Sequence, residues 1–382
     1  MMEQLSIRFP GKLVFGRGSL DKLAGEILEL MVSRVSILTI EPLLPRLERL
    51  IVSLAQRHIE VSVNTSIVQE PSFGDFRSLM REVDHFDPEL VVGIGGGSVL
   101  DIAKLVAAQS GNEQALEDYV GIGLLRQRPK KLICIPATSG TGSEVSPNAI
   151  LVDELDGQKK GIISPFLVPD IVYVDPLLTL SVPPAITAAT GLDALTHCME
   201  AYTNLFAHPF IDVYAFEGMR RIAGHLVQAV RDGGDENARE QVAMGSLLGG
   251  FCLGPVNTAA VHALSYPLGS SFHLPHGLSN ALLLPYVMEF NYPAAPCRYA
   301  DVAVALGCIR EKDDEATAQR GVEMIRTLIR ECNIPARLSE VGIPRNALPD
   351  MAAAAMKITR LLKNNPRPVT LEDAMSIYAA AY

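Results

Sequence analysis

Leu90-Val91-Val92-Gly93-Ile94-Gly95-Gly96-Gly97-Ser98-Val99-Leu100-Asp101-Ile102-Ala103-Lys104 decides the fold reading. Leu90–Ile94 is a short apolar run that ends in glycines, and Val99–Lys104 opens a helix. A strand, a glycine run and a helix N-terminus together make an anion site. The glycines allow close approach, and the free N–H groups and helix dipole favour a phosphate. The spacing is not the G-x-G-x-x-G of the usual dinucleotide fingerprint.

Outward from this stretch the same grammar repeats. The strand-like run Lys131–Ile135 is followed by Pro136-Ala137-Thr138-Ser139-Gly140-Thr141-Gly142-Ser143-Glu144, whose small hydroxyls and glycines suit phosphate and ribose. Arg34–Ile40, Ile59–Val63 and Ile171–Val174 read as further strands, and Leu43–Arg57 as an amphipathic helix. Short apolar strands alternating with helical stretches indicate a parallel α/β sheet, with ligands at the carboxyl ends of its strands. Glu41, just past one of those ends, is placed to accept from an adenosine ribose 2′-hydroxyl, which favours NAD over NADP.

The character changes near Asp175-Pro176. Beyond Pro184, helical segments take over at Ile186–Tyr202, Pro209–Asp232, Asn237–Leu253, Ala259–Leu268 and Gly277–Phe290. The chain is therefore expected to have an α/β domain over 1–178 and a nearly all-helical domain over 179–382. A length of 382 residues with 48% hydrophobic residues is ample for two cores. The net charge of -10 and pI near 5.4 argue against nucleic acid and anionic membranes as partners. Arg126-Gln127-Arg128-Pro129-Lys130-Lys131 reads as a solvated loop. Six scattered cysteines without a C-x-x-C pair, no signal-like N-terminus and no long apolar run lead to the expectation of a cytoplasmic protein with reduced thiols.

In the helical half, Asp193 and His197 lie at i,i+4 in Gly191-Leu192-Asp193-Ala194-Leu195-Thr196-His197-Cys198-Met199-Glu200, one turn apart on one face. His262 stands in another apolar helix and His276 at a helix start after Pro275. One Asp and three His suit Fe(II), Zn(II), Mn(II) or Co(II), although spacing alone leaves open whether they meet.

At these residues the chain resembles the iron-containing, or group III, alcohol dehydrogenase family along essentially its whole length. The likeness rests on Gly95-Gly96-Gly97-Ser98 with Asp101 and Lys104, Pro136 through Glu144, Asp175-Pro176, and Gly191-x-Asp193-Ala194-x-x-His197-x-x-Glu200. It continues in His262, Pro275-His276-Gly277 and Asn365-Pro366-Arg367. The resemblance implies the dehydroquinate synthase-like fold: an N-terminal α/β dinucleotide-binding domain and an all-α C-terminal metal-binding domain, with the active site in the cleft between them. It implies Asp193, His197, His262 and His276 as metal ligands, with Fe(II) expected and Zn(II) or another divalent ion as the alternative. The cofactor is expected to be NAD, NADP being the alternative, with its pyrophosphate over Gly96, Gly97 and Ser98. Asp101, Thr138, Ser139, Thr141 and Ser143 join the cofactor set, and either Lys159 or Lys160 reaches the ribose. A homodimer is expected.

One departure stands out. Where many relatives carry a further His one turn after the third ligand, this chain has Tyr266. A phenol, with a reference pKa near 10 against about 6.5 for imidazole, is a poorer base near neutrality. Tyr266 and His273 are the two candidates for proton transfer, and Phe251, Leu253, Tyr266 and Phe272 for the apolar pocket wall. The expected reaction is metal-dependent hydride transfer between NAD(H) and a small alcohol or aldehyde. The alternatives are a maleylacetate reductase-like reduction of an unsaturated oxo-diacid and a non-catalytic NAD-binding sensor on the same scaffold.

Overall fold

Strands and helices alternate through the first half as β1 (Lys12–Phe15), α1 (Leu23–Glu29), β2 (Arg34–Leu38), α2 (Leu44–Ala55), β3 (Glu60–Asn64), α3 (Phe73–Phe86), β4 (Leu90–Gly95) and α4 (Gly97–Gln109). They continue as β5 (Gly121–Ile122), β6 (Lys131–Pro136), β7 (Asn148–Asp153), β8 (Gln158–Ile163) and β9 (Ile171–Val174). The computed structural model describes residues 4–67, 70–155 and 157–382. It divides the chain into two units. One comprises Arg8–Thr138 and Ser143–Thr179; the other comprises Leu180–Tyr382 with Ser139–Gly142 and the described part of Met1–Ile7.

The α/β unit is built on a six-stranded sheet of order β1-β9-β6-β4-β2-β3, parallel throughout. Every residue of β4 is buried, as a strand covered on both faces requires. Val91, Leu132 and Cys134 face one side, against Phe76 of α3 and Leu100 of α4. Val92, Ile94, Ile133 and Ile135 face the other, against Ile27 of α1 and Leu47 of α2. From β2 the chain moves outward to β3, whereas from β4 it moves the opposite way to β6. The order thus reverses between β2 and β4, and the crevice at such a switch point is where open α/β sheets take ligands. Glu41 follows β2 there, and Gly96 to Ser98 follow β4.

Strand β1 and the small sheet β5-β8-β7 lie outside the strands expected from apolar runs. Strands β7 and β8 form an antiparallel hairpin, with Gln158 exposed and Lys159 and Lys160 half-buried along β8. Such a strand lacks the apolar run that marks β4. The basic stretch before β6 also differs from a solvated loop. The Arg128 side chain is 9% exposed and forks onto both carboxylate oxygens of Asp170 at 2.7 and 2.8 Å, with Nε donating to Phe166 O.

The helical unit contains α5 (Pro184–Thr203), α6 (Pro209–Arg231), α7 (Glu236–Leu253), α8 (Ala260–Phe272), α9 (His276–Asn291), α10 (Pro296–Ala305), α11 (Asp314–Glu331), α12 (Leu348–Ala355), α13 (Thr359–Leu362) and α14 (Leu371–Ala381). Helix α5 is buried without a break from Gly191 to Thr203. A helix covered on every side sits at the centre of its unit, and α6, α7 and α9 pack around it. Helix α8 runs on past the expected end at Leu268, through Pro267, to a left-handed cap at His273. No helix among the described residues is long and apolar enough to cross a membrane. All six cysteines are free thiols.

Candidate functional site

Three helices of the central bundle bring the expected ligands together. Asp193 and His197 project from the middle of α5, His262 from the first turn of α8, and His276 from the first position of α9. Asp193 Oδ1 lies 3.6 Å from His197 Nε2, 3.6 Å from His262 Nε2 and 3.7 Å from His276 Nε2. With metal–nitrogen bonds of about 2.1 Å, donors of a tetrahedral set stand about 3.4 Å apart. The oxygen-to-nitrogen distances therefore suit one divalent cation. Asp193, His262 and His276 form a group able to hold a metal, and the His197 ring stacks on His262 with centroids 4.8 Å apart.

The donor set is poised for positive charge. The amide nitrogen of the fully buried Asn280 lies 2.7 Å from Asp193 Oδ1, 3.1 Å from His262 Nε2 and 3.3 Å from His276 Nε2. An amide nitrogen has two hydrogens for those three acceptors, and its own Oδ1 has no hydrogen-bond partner. Three acceptors converging on one point, with an orphaned oxygen beside it, fit a cation better than a neutral donor. Burial by itself raises the Asp193 carboxyl, but His197, His276 and His262 more than offset it and hold the carboxyl far below its ordinary range. Burial lowers the His197 imidazole, keeping it neutral, as a ligand must be. For His262 burial also acts downward, yet Glu200 and Asp193 overcome it and raise the imidazole to about 9. A bound cation takes the place of that proton.

Glu200 is the residue that a ligand count misses. Its Oε1 accepts the Val261 N–H at 2.6 Å, one of the unpaired donors of the first turn of α8, and its Oε2 lies 2.6 Å from His262 Nδ1. With Nδ1–H engaged by the carboxylate, Nε2 presents its lone pair to the cluster. Both Glu200 and Asn280 were legible in principle. Glu200 falls on the Asp193–His197 face of α5, and Asn280 one turn after His276 on α9.

Close backbone approach assembles the cluster. At Gly277 a Cβ would lie 2.2 Å from Ala189 O, so only glycine lets the start of α9 reach α5 beside Asp193. The second glycine loop joins the same unit. Gly142 sits at φ +61 with its missing Cβ 2.3 Å from Gly250 Cα on α7, a position closed to other residues by conformation and by space. Ser139 and Thr141 lie on this loop, both half-buried. Tyr266 is near the cluster, its ring centroid 6.1 Å from that of His276. His273, by contrast, is exposed at the end of α8. Leu253 is buried, Phe272 is half-buried, and the half-buried Phe251 packs on Tyr214 with centroids 5.6 Å apart.

In the α/β unit, Gly96 caps α4 and adjoins Thr138: a Cβ on the glycine would stand 3.5 Å from Thr138 Oγ1. Ser98 Oγ accepts from Glu70 N at 3.3 Å, and Glu70 in turn accepts from Lys159 Nζ at 2.5 Å. Lys159 thus shares a partner with the glycine-rich turn, whereas Lys160, opposite on β8, lies 3.8 Å from Asp153. Asp101 and Ser143 are joined to each other: the Ser143 hydroxyl donates to Asp101 Oδ1 at 2.5 Å and accepts from the fully buried Lys104 at 2.8 Å. Lys104 also donates to the carbonyls of Ser146 and Asn148. Glu41 is exposed beyond β2.

Comparison with known proteins adds an independent line. The family described as "Iron-containing alcohol dehydrogenase" matches residues 10–176, and "Fe-containing alcohol dehydrogenase family, C-terminal" matches residues 187–382. The chain is 39% identical to long-chain-alcohol dehydrogenase 1 of Geobacillus thermodenitrificans, over 100% of this chain and 98% of that protein. It is 32% identical to a sulfoacetaldehyde reductase of Bilophila wadsworthia, over 97% of each. Among solved structures, a 1,3-propanediol oxidoreductase superposes with a TM-score of 0.95 at 30% identity, covering 100% of both chains.

Proposed function

The chain belongs to the iron-containing alcohol dehydrogenase family and is a metal-dependent, NAD(H)-linked oxidoreductase acting on the alcohol–aldehyde class, and on that footing we propose which residues carry each part of the reaction. The observation that carries the proposal is the convergence of Asp193, His262 and His276, with His197 beside them, on one point among α5, α8 and α9. In this reading residues 179–382 hold the metal and residues 1–178 hold the nicotinamide cofactor.

Asp193, His197, His262 and His276 would hold the cation; the family favours Fe(II), while one carboxylate and three imidazoles suit Zn(II) as well. A metal held there would supply Lewis acidity toward the substrate oxygen, and a bound nicotinamide would supply the hydride acceptor or donor. The protein supplies the rest. Glu200 fixes the His262 ring and its tautomer. The N–H groups of Gly96, Gly97 and Ser98, at the N-terminus of α4, hold the pyrophosphate. Glu41 accepts from the adenosine ribose, favouring NAD over NADP. Thr138, Ser139 and Thr141 would contact the cofactor, and Asp101 and Ser143, which brace one another, belong to the same set. Lys159 is preferred to Lys160 for the ribose, because its partner Glu70 also engages the glycine-rich turn. Tyr266 is the nearer of the two proton-transfer candidates, and its phenol can donate to the substrate oxygen.

The substrate we propose is an uncharged alcohol with an apolar chain. The long-chain-alcohol relative supports this, as do the aromatic and aliphatic pocket candidates Phe251, Leu253 and Phe272. The proposal includes a cytoplasmic setting, which suits six free thiols, and a homodimer. The test is anaerobic initial rates with Fe(II)-reconstituted protein, NAD and alcohols of graded chain length, with maleylacetate and NADH in parallel. Turnover of alcohols that is lost together with metal in His262→Ala bears the reading out. Metal-independent reduction of maleylacetate alone overturns it.

A further inference from the structure

The Asn365-Pro366-Arg367 motif lies in the helical unit, and no step of the reaction uses it. Yet this segment is one of the most polar buried places in the unit: Asn364 is 5% exposed and Asn365 1%. Buried amides are tolerated only when their donors and acceptors are met, so the partners they find report what the segment is for. The Asn364 side chain donates to Thr258 O at 2.8 Å, in the loop that leads into α8. Its backbone carbonyl accepts from Leu205 N at 2.9 Å, just past the end of α5. The same two places are joined directly by Asn204 Nδ2, which donates to Asn257 O at 3.2 Å.

Asn365 anchors the strap on a third helix. Its amide and that of Asn291, at the end of α9, bond reciprocally at 2.7 and 2.8 Å. Arg367 reinforces the join by donating to Phe290 O at 2.9 Å, its guanidinium 3.8 Å from the Phe290 ring centroid. The strap therefore touches the end of α5, the approach to α8 and the end of α9. Glu200 stands one turn before the first of these places, and Val261 and His262 follow one turn after the second. Asn364 thus bridges the two chain segments that carry the Glu200–His262 contact, accepting from Leu205 N–H beyond α5 and donating to Thr258 O before α8.

We propose that Asn364, anchored through Asn365, is a positioning residue for the metal centre: it sets the distance between the end of α5 and the first turn of α8 at which Glu200 receives the Val261 and His262 N–H groups. The inference rests on the metal reading above, but its mechanical core does not. A side-chain amide donating to Thr258 O and a backbone carbonyl accepting from Leu205 N–H define a spacing that general packing of apolar residues leaves adjustable, and a 2.6 Å contact between Glu200 and His262 tolerates little slack.

The test uses the full-length protein with Asn364→Ala, and with Asn364→Ser should the first fold poorly. Two quantities are read. One is the exchange protection of the Val261 amide in protein stripped of metal. The other is the dissociation constant for Co(II), measured anaerobically by chelator competition. Ile325→Val, a core change on α11, supplies a comparable loss of melting temperature away from the strap. The expected result is faster Val261 exchange and about tenfold weaker Co(II) binding in the Asn variants, the scale at which outer-shell partners act, with neither change in Ile325→Val. Unchanged Val261 protection and Co(II) affinity in a destabilised Asn variant would overturn the proposal, leaving the strap with a general folding role. Wild-type protein that binds no Co(II) would defeat the metal reading instead, and Val261 exchange would still decide the positioning role.

Discussion

Replacing Glu200 by Gln tests the metal centre without touching a ligand. The carboxylate now accepts two hydrogen bonds, each 2.6 Å, from Val261 N and His262 Nδ1. Gln keeps the shape but has one acceptor oxygen and one NH2. If the oxygen stays on Val261, the NH2 faces Nδ1, and the imidazole must move its proton to Nε2 to accept from it. The lone pair aimed at the metal is then lost. If the oxygen turns to His262, the Val261 N–H is left buried beside a second donor. Loss of one charge-assisted bond is worth about 1.5–3 kcal/mol. Outer-shell changes of this kind weaken metal binding by roughly 10–100-fold, or about 1.4–2.8 kcal/mol at 1.4 kcal/mol per decade. The two scales agree. The assay is anaerobic Fe(II) titration of stripped protein against a competing chelator, with kcat measured separately at saturating metal. A Glu200→Gln protein whose Fe(II) affinity stays within twofold of wild type would refute the argument that this carboxylate orients His262.

Other expectations follow from single contacts. Lys159→Ala should raise the KM for NAD at least tenfold, while Lys160→Ala changes it less than twofold; equal effects would remove the reason for preferring Lys159. Gly142→Ala should cost at least about 2 kcal/mol in urea unfolding, because left-handed backbone strain adds to a collision with the Gly250 backbone. Burial raises the Glu144 carboxyl to about 7 from an ordinary 4.5, with its own backbone N–H and Lys104 only partly opposing. Here the folded protein holds the proton more tightly than the unfolded chain. The stabilisation is therefore full below about 4.5 and is lost as pH rises toward 7, a change of about 3 kcal/mol. Glu144→Gln should flatten that slope in chemical denaturation at pH 4.5 and 7.5.

Much of this architecture could be read along the chain, because its signals are local. The apolar runs that became β2, β3, β4, β6 and β9 announce themselves by composition, and the helix periodicity of the second half does the same. The hairpin β7–β8 escaped because Lys159 and Lys160 hide a strand whose stability comes from cross-strand pairing rather than from its own apolar content. Arg128 escaped for a related reason. A basic run looks solvated until a carboxylate distant in sequence, Asp170, closes a fork around it.

Local order along the chain specifies the parts: a glycine turn after a buried strand, a carboxylate and an imidazole one helical turn apart, and two further histidines in apolar helices. These follow from periodicities that any short segment carries within itself. It takes the folded chain to place Asp193 Oδ1 within 3.7 Å of three imidazole nitrogens from three helices, to set Glu200 against His262, and to give Lys159 rather than Lys160 a partner shared with the glycine turn. The reason is physical. Distances between residues far apart in sequence are set by helix packing, by close approaches such as Gly277 on Ala189, and by buried amides that accept one geometry. None of these leaves a periodic trace in the chain.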